Sequence, residues 1–243
     1  MARKIRIGLL CIGIVALLAE NWFRPFLNAF DNLAVRRIQA LMDARREYLN
    51  YWLGVRLLQN PEDMITYEEL IYSVKPETII ETGTYHGGLA LFLATVIGKV
   101  SPHGKVVTVD IDSSGWDEEL KAGRITPESL ERIVFIKGSS TNDSVIRQVA
   151  QYAENKTCLV ILDSDHHREH VFRELQLYTK FVSKGSYVIV NDTDWPPLNK
   201  ISGKGPMAAI NDFMSSSSGF MIDPGLPRHI YSCAHNGFLK RTN

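Results

Sequence analysis

Between residues 78 and 112 the chain passes from an apolar strand pattern through an acidic, glycine-bearing turn into an apolar helix, then into a second strand that ends in carboxylates. A strand, helix and strand joined this tightly form a parallel βαβ unit, and its crossover is right-handed. The turn reads Glu81-Thr82-Gly83-Thr84-Tyr85-His86-Gly87-Gly88. Its three glycines let the backbone bend sharply and let a ligand lie against it, with N–H groups facing that ligand at the start of the next helix.

The turn departs from a dinucleotide fingerprint. That fingerprint spaces its glycines G-x-G-x-x-G and leaves the helix N-terminus free for pyrophosphate. Here the spacing is G-x-x-x-G-G, and Glu81 stands two residues before the first glycine. A carboxylate there repels phosphate and attracts an ammonium, such as the one on the amino-acid end of S-adenosylmethionine. Asp110, closing the strand VVTVD, occupies the place of a ribose-binding carboxylate, with Asp112 as the fallback.

The rest of the chain fits one α/β domain with an N-terminal extension. Strands are expected near 78–82, 106–110, 133–137, 158–163 and 186–191, with helices between them, which implies a mostly parallel sheet covered on both faces. FMID at 220–223, HIYSC and GFLKR predict antiparallel strands at the C-terminal edge. Residues 31–70 read as a helical extension: one helix over 31–58 that covers the domain or a second copy of the chain, then a shorter one after Asn60-Pro61. The α/β domain itself is expected over 71–243.

Lys+Arg and Asp+Glu both number 27, so the total charge carries no nucleic-acid footprint, and a small or amphipathic substrate fits better. Cys11, Cys158 and Cys233 are far apart and contain no C-x-x-C pair, which argues for a reducing, cytoplasmic setting. Arg3, Lys4 and Arg6 precede an apolar run, Ile7–Ala19, too short for the ~20 residues that span a bilayer. Membrane-surface contact through residues 7–26, or a packed helix, ranks above export, because export would separate the domain from the cytosolic donor pool.

Two further strand ends carry oxygen ligands: Asp163 after one strand, and Asn191 with Asp192 after the next. In an open α/β sheet such ends share a crevice. Three oxygen donors suit a hard cation, magnesium above all. His166 is expected in a first helical turn close to the same mouth, where an imidazole can take a hydroxyl proton at neutral pH while Asp163 serves the metal. His167 and His170 read as surface residues. The string His166-His167-Arg168-Glu169-His170 also matches H-x-x-E-H, an inverted zinc-peptidase pattern, but that reading leaves the glycine turn, Asp110 and the Asn191-Asp192 pair without a role.

Taken in order, Trp52-Leu53-Gly54-Val55, Asn60-Pro61-Glu62-Asp63, the glycine turn, Val107 to Asp112, Gly138-Ser139-Ser140-Thr141, Leu162 to His166, Gly185-Ser186-Tyr187 and Gly205-Pro206-Met207 resemble the cephalosporin hydroxylase/rhamnosyl O-methyltransferase family. The likeness runs from about residue 50 to the C-terminus. It implies a Rossmann-like class I methyltransferase fold, S-adenosylmethionine as donor, and often magnesium. It assigns Glu81, Gly83, Thr84, Tyr85, His86 and Gly87 to the cofactor loop, Asp110 to the ribose, and Ser139 and Ser140 to the adenine. The interval from Asp163 to Asn191 is also similar to that between the metal carboxylates of catechol O-methyltransferases, whose catalytic lysine falls where His166 stands. Many relatives carry Glu-Asp at Asn191-Asp192, so the amide lowers the negative charge facing a dication. The expected activity is O-methylation of a sugar, glycolipid or secondary metabolite, with Trp195–Lys204 as an acceptor lid. A hydroxylation or methoxylation role in secondary metabolism, or a non-catalytic membrane-attached binding protein, are the alternatives.

Overall fold

The computed structural model describes residues 49–193, 204–228 and 232–243. A two-stranded hairpin comes first: β1 (Leu49–Trp52) pairs antiparallel with β2 (Val55–Leu58). The turn residues Leu53 and Gly54 both have positive φ, 49° and 85°, as a two-residue type I′ turn requires. The helix expected over 31–58 is therefore a hairpin in its described part. Leu49, Trp52 and Val55 match a helical period, but the Gly54 turn and the neighbouring β-branched and aromatic residues favour strands. The remainder of that helix, and the apolar run near the N-terminus, lie outside the described residues.

After the hairpin, strands and helices alternate. Helix α1 (Pro61–Val74) starts at Asn60, whose side chain accepts from the Glu62 N–H, with Pro61 in the first turn. It leads to β3 (Thr78–Thr82), α2 (Gly88–Val100) and β4 (Lys105–Asp110). Next come α3 (Ser114–Lys121), α4 (Pro127–Leu130), β5 (Ile133–Lys137), α5 (Asp143–Ala153) and β6 (Cys158–Leu162). The chain then forms α6 (Arg168–Tyr178), β7 (Tyr187–Val190), α7 (Pro206–Ser216), β8 (Phe220–Ile222) and β9 (Phe238–Arg241).

The seven-stranded sheet has the order β5-β4-β3-β6-β7-β9-β8. The first five strands in this order are parallel, while β9 runs antiparallel to β7 and β8. The C-terminal edge is thus antiparallel as expected, but the described part of HIYSC, Ser232 and Cys233, is turn rather than strand. The carbonyl of Cys233 and the Asp63 carboxylate draw this segment into a local hydrogen-bond network instead of a ladder.

Alternate residues of the central strands feed two cores. Ile79, Val106, Leu159 and Ile189 pack with α2 and the hairpin on one face. Ile80, Val107, Val160 and Val188 pack with α5, α6 and α7 on the other. Strands buried on both faces read as continuous apolar runs, which is why TIIET and CLVIL stand out in the sequence. The connections diverge between β3 and β6, leaving a crevice at the carboxyl ends of the strands. No helix among the described residues is long and apolar enough to cross a membrane.

Candidate active site

A cavity of about 710 Å³ opens at that crevice. Its floor is the glycine turn. Gly83 sits at φ 88°, and a Cβ there would lie 2.0 Å from the Asp163 carbonyl oxygen, so β3 and β6 can approach this closely only because the side chain is missing. Gly87 caps α2 at φ 86° without any side-chain hydrogen bond, which leaves the first N–H groups of that helix open toward the cavity. Thr84 locks the turn to the next strand through its hydroxyl, 2.6 Å from that of Thr108.

Asp110 lines the cavity and ties the turn to β4. Its Oδ2 accepts from the Tyr85 N–H and its Oδ1 from the Asp112 N–H, both at 2.9 Å. A carboxylate has about four lone-pair sites, so each oxygen can still accept a ribose hydroxyl. Asp112, the fallback, is taken up by the Ser114 N–H and hydroxyl, which hold its pKa below the usual carboxylate range. Ser139 and Ser140 border the same side of the cavity.

Glu81 departs from expectation. It is fully buried, does not line the cavity, and neither carboxylate oxygen has a hydrogen-bond partner. Burial pushes its pKa up to about 8. Its position at the end of β3 places it under the turn rather than on the rim. His86 is buried but still lines the cavity: its Nδ1 lies 2.9 Å from Glu119 Oε1, and Glu119 in turn pairs with Arg124.

At the other strand ends, Asp163, His166 and Asp192 present one ligand atom each within 4.8 Å of one another. His166 Nε2 lies 3.2 Å from Asp192 Oδ2. Asp163 Oδ2 accepts from Gln59 Nε2 at 2.9 Å, which fixes the carboxylate. Burial and then the Asp192 charge hold Asp163 well above the usual carboxylate range, and burial also raises Asp192. Two carboxylates pressed together in this way favour an added cation, because a dication relieves both their desolvation and their repulsion.

Asn191, the third expected oxygen donor, stands beside this set, with its side chain hydrogen-bonded to Asp163. Asn191 is buried, does not line the cavity, and its Oδ1 accepts from the Tyr67 hydroxyl at 2.7 Å. The side chain that completes the cluster is His166, which precedes α6 rather than standing in its first turn. This also removes the H-x-x-E-H geometry, since His166 and His170 no longer share a helical face. His170, expected at the surface, instead lines the cavity: its Nε2 is 3.0 Å from Ser140 Oγ, and the buried Glu174 raises its pKa. Ser164 joins them by donating to Glu174 Oε1 at 2.7 Å. The i, i+4 spacing of His170 and Glu174 was the available signal for this pairing. The expected lid lies outside the described residues up to 203.

Comparison with known proteins identifies the family and agrees with the fold. The family described as Rhamnosyl O-methyltransferase/CmcI matches residues 45–242. The chain is 30% identical over 196 residues to a rhamnosyl O-methyltransferase of Mycobacterium leprae, covering 78% of this chain and 82% of the relative. A rhamnosyl O-methyltransferase of Mycobacterium tuberculosis matches at 30% over 197 residues, covering 78% and 77%. Among solved structures, CmcI with magnesium and S-adenosylmethionine superimposes with a TM-score of 0.63 at 19% identity, covering 80% of this chain and 77% of that one. CalS11, a calicheamicin methyltransferase, gives 0.50 at 18%, covering 68% and 76%. The chain belongs to the rhamnosyl O-methyltransferase/CmcI family and is an S-adenosylmethionine-dependent O-methyltransferase.

Proposed function

We propose that the protein methylates a hydroxyl of rhamnose or a related sugar, carried on a lipid or a small metabolite, with a divalent cation held by Asp163 and Asp192. The observation that carries this reading is the meeting of the glycine turn, Asp110 and the Asp163/His166/Asp192 cluster on a single cavity. The sugar class is supported by the names of the relatives, which are rhamnosyl O-methyltransferases.

The residues present fit a hard cation. Two carboxylates leave room for water and substrate oxygens around magnesium, which seldom takes an all-protein cage. When bound, such an ion supplies Lewis-acid polarisation of the acceptor hydroxyl. The chain's own contributions are distinct from that. The glycine turn admits the donor, Asp110 orients its ribose, and Gln59 keeps Asp163 from swinging out of the cluster. His166, next to Asp192, takes the acceptor proton as the methyl group moves to oxygen; the neighbouring carboxylate stabilises the resulting imidazolium.

The test is transfer of labelled methyl from S-adenosylmethionine to nucleotide-activated rhamnose, a rhamnosyl glycolipid and a simple catechol, each with magnesium and with a chelator. Label in a sugar that vanishes with the chelator is the expected result. Label confined to the catechol would refute the acceptor class. His166→Ala should slow transfer about 10²–10⁴-fold while leaving donor affinity within a few-fold; an unchanged rate would remove the base assignment.

A further inference from the structure

The cavity wall has an uneven charge. Five aspartates line it: Asp110, Asp112, Asp163, Asp165 and Asp192. Among its described lining residues, Arg56 is the one Lys or Arg. An acidic wall suits ribose hydroxyls, a sulfonium and a metal ion. It suits the donor's ammonium too, but repels its one anionic group, the carboxylate on the methionyl end.

Arg56 can offer that group a partner. It is on β2, and β2 lies directly against the start of α2: a Cβ on Gly88 would come within 2.2 Å of the Arg56 carbonyl oxygen. The guanidinium reaches His86 of the glycine turn, and the turn leads into the uncapped end of α2, whose first turn holds no acidic residue. It is also held in place. Arg124 pairs with the buried Glu119, Glu119 accepts from or shares a proton with His86 Nδ1, and His86 Nε2 lies 3.4 Å from Arg56 Nη1. With the proton on Nδ1, Nε2 is free to accept from the guanidinium. Arg56's other contact, Glu118, is at 4.0 Å between side chains both near half exposed, a weak pairing that leaves most of its five donors for a ligand.

We infer that Arg56 is the carboxylate-binding residue of the donor site, held for that purpose by His86, and that it makes the enzyme discriminate in favour of donors with an intact amino-acid carboxylate. This rests on the donor being S-adenosylmethionine. It gives His86 a role as a positioning residue rather than a direct ligand, and it explains why the hairpin is packed onto the glycine turn.

The experiment is calorimetric titration of the full chain, native and Arg56→Gln, with S-adenosylmethionine and with its decarboxylated analogue. The native chain should prefer the intact donor. Arg56→Gln should weaken the intact donor about 10- to 100-fold, the scale of a charge-assisted hydrogen bond, and leave the analogue's affinity within two- to three-fold. His86→Ala should lower the preference in the same direction by a smaller factor, which a merely structural role would not do selectively. Equal weakening of both ligands by Arg56→Gln, or no weakening, overturns the inference while the donor site stands. Failure of the native chain to bind either ligand overturns the donor reading itself and the inference with it.

Discussion

Burial sets the charge of Glu81. Its carboxyl is enclosed, both oxygens lack partners, and its pKa rises from an ordinary 4.5 to about 8. Between those values the folded chain holds a proton that the unfolded chain has released, so stability falls as pH rises through the window. The contribution is complete below about 4.5 and lost above about 8. Asp63, raised to about 6 by burial, adds a loss of the same sign at lower pH. Glu81→Gln should therefore raise Tm by several degrees at pH 8 and change it little at pH 5, in thermal melts followed by circular dichroism. An equal change at both pH values would show that the carboxyl does not titrate in that window. That an acid ends this strand, just before the glycine turn, was legible in the sequence, whereas its depth was not. The same division holds for Asn191 and His170, whose partners Tyr67 and Ser140 are remote in sequence.

At the scale of elements, β3 to β7 were legible because each carries its own apolar run between turn residues, and their observed limits fall within a residue of the expected ones. The hairpin was not. Four-residue strands leave too few positions to separate a period of 2 from one of 3.6, and only the Leu53-Gly54 pair marks the turn. Leu53 is exposed and adopts φ 49°, a conformation that costs a residue with a branched side chain about 1 kcal/mol or more. Asn tolerates it through local hydrogen bonding. Leu53→Asn should raise Tm by roughly 2–4 °C per kcal/mol recovered without changing donor affinity. A lowered Tm in the same melts would mean that the Leu53 side chain has a contact worth more than the strain.

For the whole molecule, the sheet order places the ends of β3, β4, β6 and β7 around one crevice, so residues far apart in sequence become a single site. That much follows from strand–helix alternation and right-handed crossovers. The meeting of His166 with Asp163 and Asp192 does not, because it depends on which side of a strand end each side chain leaves from, and Asp192 takes a positive φ of 55° that turns it into the cavity mouth. The site should accordingly couple to global stability. A cation that binds only the folded chain stabilises it by about 2.7 kcal/mol at 100 times its Kd, or roughly 5–10 °C in Tm for a chain of this size. Asp192→Asn keeps a residue that accepts positive φ and removes one of two like charges. It should raise Tm modestly without added metal, abolish most of the magnesium-induced rise, and leave the stabilisation by S-adenosylmethionine largely in place. Melts of both chains with magnesium, chelator and donor separate these effects. A full magnesium shift in the variant would place the ion elsewhere, and no shift in the native chain would remove magnesium from the site.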